Sequence, residues 1–196
     1  MRFLYISLIF SYLFTCTIGV RLDSLNRPVI WKNRDVSWDT SERTNRLYFD
    51  AQGSTSYLAI STGGYNSNGG NKKPFMGMNT SGFGIVNSIV DDQIDGYNGN
   101  GDFIKESLEN CVTIDDFILK IQTLNPTPND EDHISANFAV LDSTGAAGMF
   151  EVWLDDSVVV WDSVLISDSV EYIVRTNQFV LDSLLIYNLN DFDLVS

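Results

Sequence analysis

Cys16 is the residue that type and position single out for chemistry. It stands where a short apolar leader ends, at the head of Cys16-Thr17-Ile18-Gly19-Val20-Arg21. A chain cut just before it would begin with a cysteine. The thiol would then be a nucleophile for an amide carbonyl, and the residue's own α-amine, with an ordinary pKa near ~7.7–8.0, could take the thiol proton. One residue would supply both nucleophile and base. That economy matters because the chain has a single histidine, His133, in the acidic stretch Asn129 to His133. There is no HExxH and no CxxC, so a metal centre and a Ser-His-Asp triad both find little support. A hydrolase built on this sequence must find its general base outside the imidazole.

Other polar groups carry weaker chemistry. A bridge between Cys16 and Cys111, the only other cysteine, is open if the chain is exported, but no spacing requires it; Cys111 reads most simply as a small buried hydrophobe. Asp91, Asp95, Gly96 and Asp102 overlap a calcium loop, yet Gln93 breaks the pattern and no helical periodicity precedes it. The glycines at 96, 99 and 101 do not make the dinucleotide fingerprint.

What must hold Cys16 in place follows from the rest of the chain. At 196 residues and 44% hydrophobic, it can bury one sizeable core. A formal charge of -14 argues against nucleic acid, which is bound by Lys and Arg on phosphates, and against anionic membrane surfaces. Residues 1–15 are expected to be a leader: Met1-Arg2, then a largely apolar run to Phe14 that matches a signal-peptide core and is too short to span a bilayer. Export follows as the expectation, to the periplasm or the extracellular space. Two alternatives stay open. Leu13-Phe14-Thr15-Cys16 has some likeness to a lipoprotein site, which would acylate Cys16, and the segment could instead be a buried first strand.

Residues 16–196 then read as one domain. Cys16 to Asp23 and Pro28 to Trp31 form a hairpin around Asp23-Ser24-Leu25-Asn26. Leu47–Phe49, Ser56–Ile60 and Phe83–Val90 are strand candidates, and Gly63–Asn71 is a Gly/Asn-rich loop. Met78 to Gly82 is expected to be a turn. Two helices follow: one from Asp102 to Cys111, and one opened by a capping box at Thr113-Ile114-Asp115-Asp116, with Ile114, Phe117, Ile118 and Ile121 on one face. Strands return at Ile134–Val140, Ala146–Trp153, Val158–Trp161 and Tyr172–Val174. Strands, a helix pair and strands again predict an α+β fold with helices on a mostly antiparallel sheet.

The pattern Cys16-Thr-Ile-Gly-Val20, then Arg27-Pro-Val-Ile-Trp-Lys-Asn-Arg-Asp35, resembles the N-terminal-nucleophile (Ntn) hydrolases of the choloylglycine hydrolase, penicillin V acylase and isopenicillin-N acyltransferase group. Four further blocks fit in order: Asn79–Asn87, Cys111–Phe117, Asn137–Asp142 with Glu151-Val152, and Ile173–Asn177. The resemblance implies an αββα four-layer sandwich and a cysteine amidohydrolase or acyltransferase acting on a linear N-acyl amide through a thioester. Cys16 would be nucleophile and base, and Asp35 would orient its amine. Lys32 falls where bile-acid hydrolases carry an arginine, although a lysine cannot make the bidentate fork. Asn87 and Asn177 match positions that hold the oxyanion or polarise the amide. No organic cofactor or metal is implied, and the partner is a small N-acyl amide.

Members of this group are much longer, and place a further catalytic-site arginine in their second half. The resemblance therefore implies an incomplete sandwich in a truncated or frame-shifted chain, and Arg175 is not a substitute for that arginine. The competing expectation is an inactive remnant or an acidic lipoprotein or binding module with Cys16 as its anchor.

Overall fold

Asp23 makes the first turn by accepting hydrogen bonds from the Leu25 and Arg27 backbone N–H groups at 2.8 and 2.9 Å, while Asn26 adopts a positive φ of 56°. The flanking residues pair as the expected hairpin, β1 (Thr17–Leu22) with β2 (Pro28–Asn33). The computed structural model describes residues 16–34, 44–51, 54–63, 73–90, 99–126, 133–154, 158–167, 169–181 and 183–184 of the 196-residue chain. The leader at 1–15, Asp35, the Gly/Asn loop at 64–71 and most of the calcium-like loop lie outside them.

Two antiparallel sheets stack face to face. The large one runs in chain order: β3 (Thr44–Asp50), β4 (Tyr57–Gly63), β5 (Pro74–Asn79), β6 (Gly84–Ile89), β7 (Ile134–Leu141), β8 (Ala147–Leu154) and β9 (Val159–Leu165). The small one places β1 between β2 and β10 (Tyr172–Arg175), so the first and last described strands are neighbours. Strand β5 is a correction to the sequence expectation, which saw only the turn after it. Pro74-Phe75-Met76-Gly77-Met78-Asn79 has no clean alternation, because Gly77 is where Leu108 packs against the sheet.

Helices α1 (Asn100–Asn110) and α2 (Ile114–Gln122) are inserted between β6 and β7 and cover the far face of the large sheet. The capping box at α2 forms as expected. The Thr113 side chain accepts from Asp116 N–H and the Asp116 carboxylate accepts from Thr113 N–H. Asp142, in the β7–β8 turn, accepts from the Ile114 N–H at 2.9 Å and ties the helix to that turn. Asp102 lies in α1 and pairs with Lys73 at 3.0 Å. Among the described residues no three His, Cys, Asp or Glu gather as a metal site, and no helix is long and apolar enough to cross a membrane.

The helix-side core holds Ile85, Phe103, Phe117, Phe138 and Phe150, with ring centroids 5.1–6.1 Å apart. The core between the sheets holds Ile18, Val20, Val86, Ala139, Met149 and Ile173. Every residue of β7 and β8 is buried, since helices cover one face and the small sheet the other. The polar phase of these strands therefore faces protein, not water. That is what builds the site.

Candidate active site

Cys16 precedes β1 by one residue and is half-buried. Two residues on, Ile18 points into the core between the sheets, and its partner across the hairpin is Lys32. Strand alternation thus carries Lys32 inward, two residues beyond Ile30. There the Lys32 ammonium donates to the Asn87 carbonyl and sits 5.5 Å from the Phe75 ring centroid. The Arg34 guanidinium stacks on the same ring at 4.7 Å. Burial pulls the Lys32 pKa down to about 8; the nearby Cys16 sulfur pushes it back up and Arg34 lowers it further. Lys32 is therefore a cation near the Cys16 sulfur whose pKa is lowered to about 8.

Asn177 arrives from the opposite end of the chain, in the bend after β10, and is half-buried. The Ser88 hydroxyl lies 3.3 Å from both the Cys16 carbonyl oxygen and the Asn177 Oδ1, and can donate to either. With Oδ1 accepting from Ser88, the Nδ2 is the donor end of the Asn177 amide. Cys16, Lys32 and Asn177 are thus brought to one end of the layer between the sheets.

Asn87 is not brought there by its side chain. It alternates with Val86 and Ser88, so its side chain lies with Ile85 on the helix face, opposite Phe138. Its Oδ1 is buried without a hydrogen-bond partner. What reaches the site is its main chain, through the carbonyl held by Lys32. The sequence expectation of an Asn87 side chain in the site is corrected in that respect. Asp35 lies outside the described residues.

The sequence reading passed over the residues that support the site. Ser88, Asn137, Glu151 and Asp162 are directly opposite one another across β6, β7, β8 and β9, and form a polar row on the face toward the small sheet. Glu151 is fully buried; its Oε1 meets Arg175 Nε at 2.6 Å, and its Oε2 accepts from Val180 and Leu181 N–H at 2.7 and 3.0 Å. Asn137 Nδ2 donates to the Thr176 and Gln178 carbonyls at 2.8 and 2.9 Å. Ser183 donates to Asp162 at 3.0 Å. The available signal was polar residues inside otherwise apolar strands; their alignment depends on register, which the sequence does not display.

Cys111 belongs to the helix-side core, across the large sheet from Cys16, and burial pushes its thiol up to about 11. The two cysteines are not bridged. A polar cavity of about 540 Å³, lined by Arg21, Asp23, Ser167 and Glu171 among others, opens at the far end of β1, away from Cys16.

No family model matches the sequence, and no curated protein matches it. Solved structures do match. A variant of the conjugated bile acid hydrolase from Clostridium perfringens aligns over 84% of this chain at 16% identity, with a TM-score of 0.52. A second variant of the same hydrolase aligns over 85% at 14% identity, with a TM-score of 0.53. The chain spans about half the length of these structures, 54% in each case. Helices on one face of two stacked antiparallel sheets, in this order, are part of the αββα sandwich, and the chain has the Ntn fold of the conjugated bile acid hydrolases.

Proposed function

We propose that the chain acts as a cysteine amidohydrolase or acyltransferase on linear N-acyl amides, with Cys16 as the exposed N-terminal residue after loss of residues 1–15. The observation that carries this reading is the convergence of Cys16, Lys32 and Asn177 at one end of the intersheet layer, joined through Ser88. The freed α-amine takes the proton from the Cys16 thiol, and the sulfur attacks the acyl carbonyl. The Lys32 ammonium favours the thiolate, and its grip on the Asn87 carbonyl fixes the strand beside the nucleophile. The Asn177 Nδ2 donates to the oxyanion as it develops, a contribution of roughly 3–4 kcal/mol in such sites. The α-ammonium returns the proton to the leaving amine, and water or a second amine then releases the acyl group from the thioester. Asp35 orients the α-amine. Export of the chain is part of the same reading, since it provides the cut before Cys16.

Intact-mass measurement of the exported protein, before and after incubation with a panel of N-acyl amides of graded acyl length, tests this. The expected species begins at Cys16 and gains the acyl mass, and Cys16→Ala gains none. A species still beginning at Met1, or full turnover by both Cys16→Ala and Cys16→Ser, overturns it.

A further inference from the structure

The polar row is more than a buried oddity, because its members contact the chain around Asn177 in sequence order. Glu151 takes Arg175, Asn137 takes the carbonyls of Thr176 and Gln178, Ser88 takes the Asn177 Oδ1, and Glu151 again takes the N–H groups of Val180 and Leu181. Ser88, Asn137 and Glu151 are fully buried, and each faces the next across a strand pair. Asn177 is thus flanked on both sides by main-chain groups pinned to the large sheet, which also receives the Cys16 carbonyl through Ser88.

We propose that Asn137 is a positioning residue for the reaction, setting the amide of Asn177 against the acyl carbonyl by clamping the peptide groups on either side of it. The proposal rests on the reading of Cys16 as nucleophile and Asn177 as oxyanion donor. The chemistry of the clamp is specific. Two carbonyl oxygens 2.8 and 2.9 Å from one nitrogen require a nitrogen with two N–H bonds, which a primary amide supplies. Aspartate has the same shape but presents only acceptors when ionised, so it would repel both carbonyls. Serine could satisfy one of them. The Asn137 Oδ1 is buried and accepts nothing, which leaves the two donated bonds as the side chain's hydrogen bonding. A residue kept in a fully buried position at the cost of an unpaired acceptor is held there by what its donors do.

The test is a double-mutant cycle on the exported protein that begins at Cys16, with p-nitrophenyl butyrate as acyl donor and the nitrophenolate burst as readout. Asn177→Ala and Asn137→Ala are each expected to lower the acylation rate about a hundredfold with KM little changed, as loss of an interaction made in the transition state should. The double variant is expected to lose no more than Asn177→Ala alone, because Asn137 acts through Asn177. Asn137→Ser, which keeps one donor and serves if the alanine variant does not fold, is expected to fall in between. Multiplicative losses in the double variant, or unchanged acylation in both Asn137 variants, overturn the clamp while leaving Cys16 as nucleophile. Nitrophenolate release that is undiminished in Cys16→Ala removes the nucleophile reading, and the clamp with it.

Discussion

Replacing Lys32 by methionine should change stability in a way that reverses with pH. The ammonium is drawn inward by β2 and its pKa falls from 10.5 to about 8. A drop of about 2.5 units corresponds to about 3 kcal/mol at ~1.4 kcal/mol per unit, or about 2–3 kcal/mol allowing for screening of a half-buried group. Below pH 8 the lysine is charged in both folded and unfolded chains, and the folded state bears the whole penalty. Between about 8 and 10.5 the folded state releases the proton while the unfolded state keeps it, so wild-type stability rises relative to the variant. Above 10.5 the penalty is gone. Lys32→Met also deprives the buried Asn87 carbonyl of its donor, which costs about 1–2 kcal/mol at any pH. The variant should therefore be about 1 kcal/mol more stable than wild type at pH 7 and about 1–2 kcal/mol less stable at pH 10.5. Urea titrations followed by tryptophan fluorescence at half-unit pH steps measure the difference, in which titrations not coupled to Lys32 cancel. Repeating the pair in a Cys16→Ala background removes the coupling to Cys16, and should widen the advantage of Lys32→Met on the low-pH side because the sulfur supports the lysine charge. A difference between variant and wild type that stays flat from pH 7 to 10.5 would refute the desolvation argument.

Three further outcomes are expected. Gly19→Ala would place a methyl group inside the Trp31 ring that lies over it, so unfolding should come about 1–3 kcal/mol earlier and the tryptophan emission should shift. For Asp142, burial works to raise the carboxyl, but the hydrogen bonds from Thr144, Ile114 and Ala146 outweigh it and hold the pKa below the ordinary 3.8. Its contribution is present above about pH 4 and lost as pH falls through the lowered value, so Asp142→Asn should flatten the acid limb of a pH–stability curve. Glu151→Ala should leave Arg175 unpaired beside the sheet and free the Val180 and Leu181 N–H groups, costing about 3–5 kcal/mol by urea titration.

Local features were legible in the sequence. The β1–β2 turn announces itself because Asp23 and Asn26 act on their own backbone, and the α2 start because Thr113 and Asp116 cap each other within four residues. Asn177 and Lys32 were legible as positions through resemblance, and the structure places both near Cys16. The parity of Asn87 was not. Whether a strand residue faces helix or sheet depends on a single-residue step against its neighbour, and Ser88 holds the face that Asn87 was expected to take. The row of Ser88, Asn137 and Glu151 was invisible for a related reason. Each is an isolated polar residue in an apolar strand, and only the pairing register makes them one line. Strand β5 was missed because Gly77 yields its side-chain space to Leu108.

The pairing of β1 with β10 gives the site a place in time. Strands β3 to β9 each lie beside their neighbour in the chain, with the helix pair as the one long excursion, so the large sheet can form by short closures. Ile18 against Arg175 is a closure over most of the described chain, which costs about 4 kcal/mol of loop entropy beyond its constant part. Contacts of that span form late, once a surface exists to repay them. Cys16 and Asn177 flank the two strands that meet in this closure, one just before β1 and the other just after β10. Cys16 and Asn177 are therefore apart in every partly folded form that lacks the β1–β10 ladder.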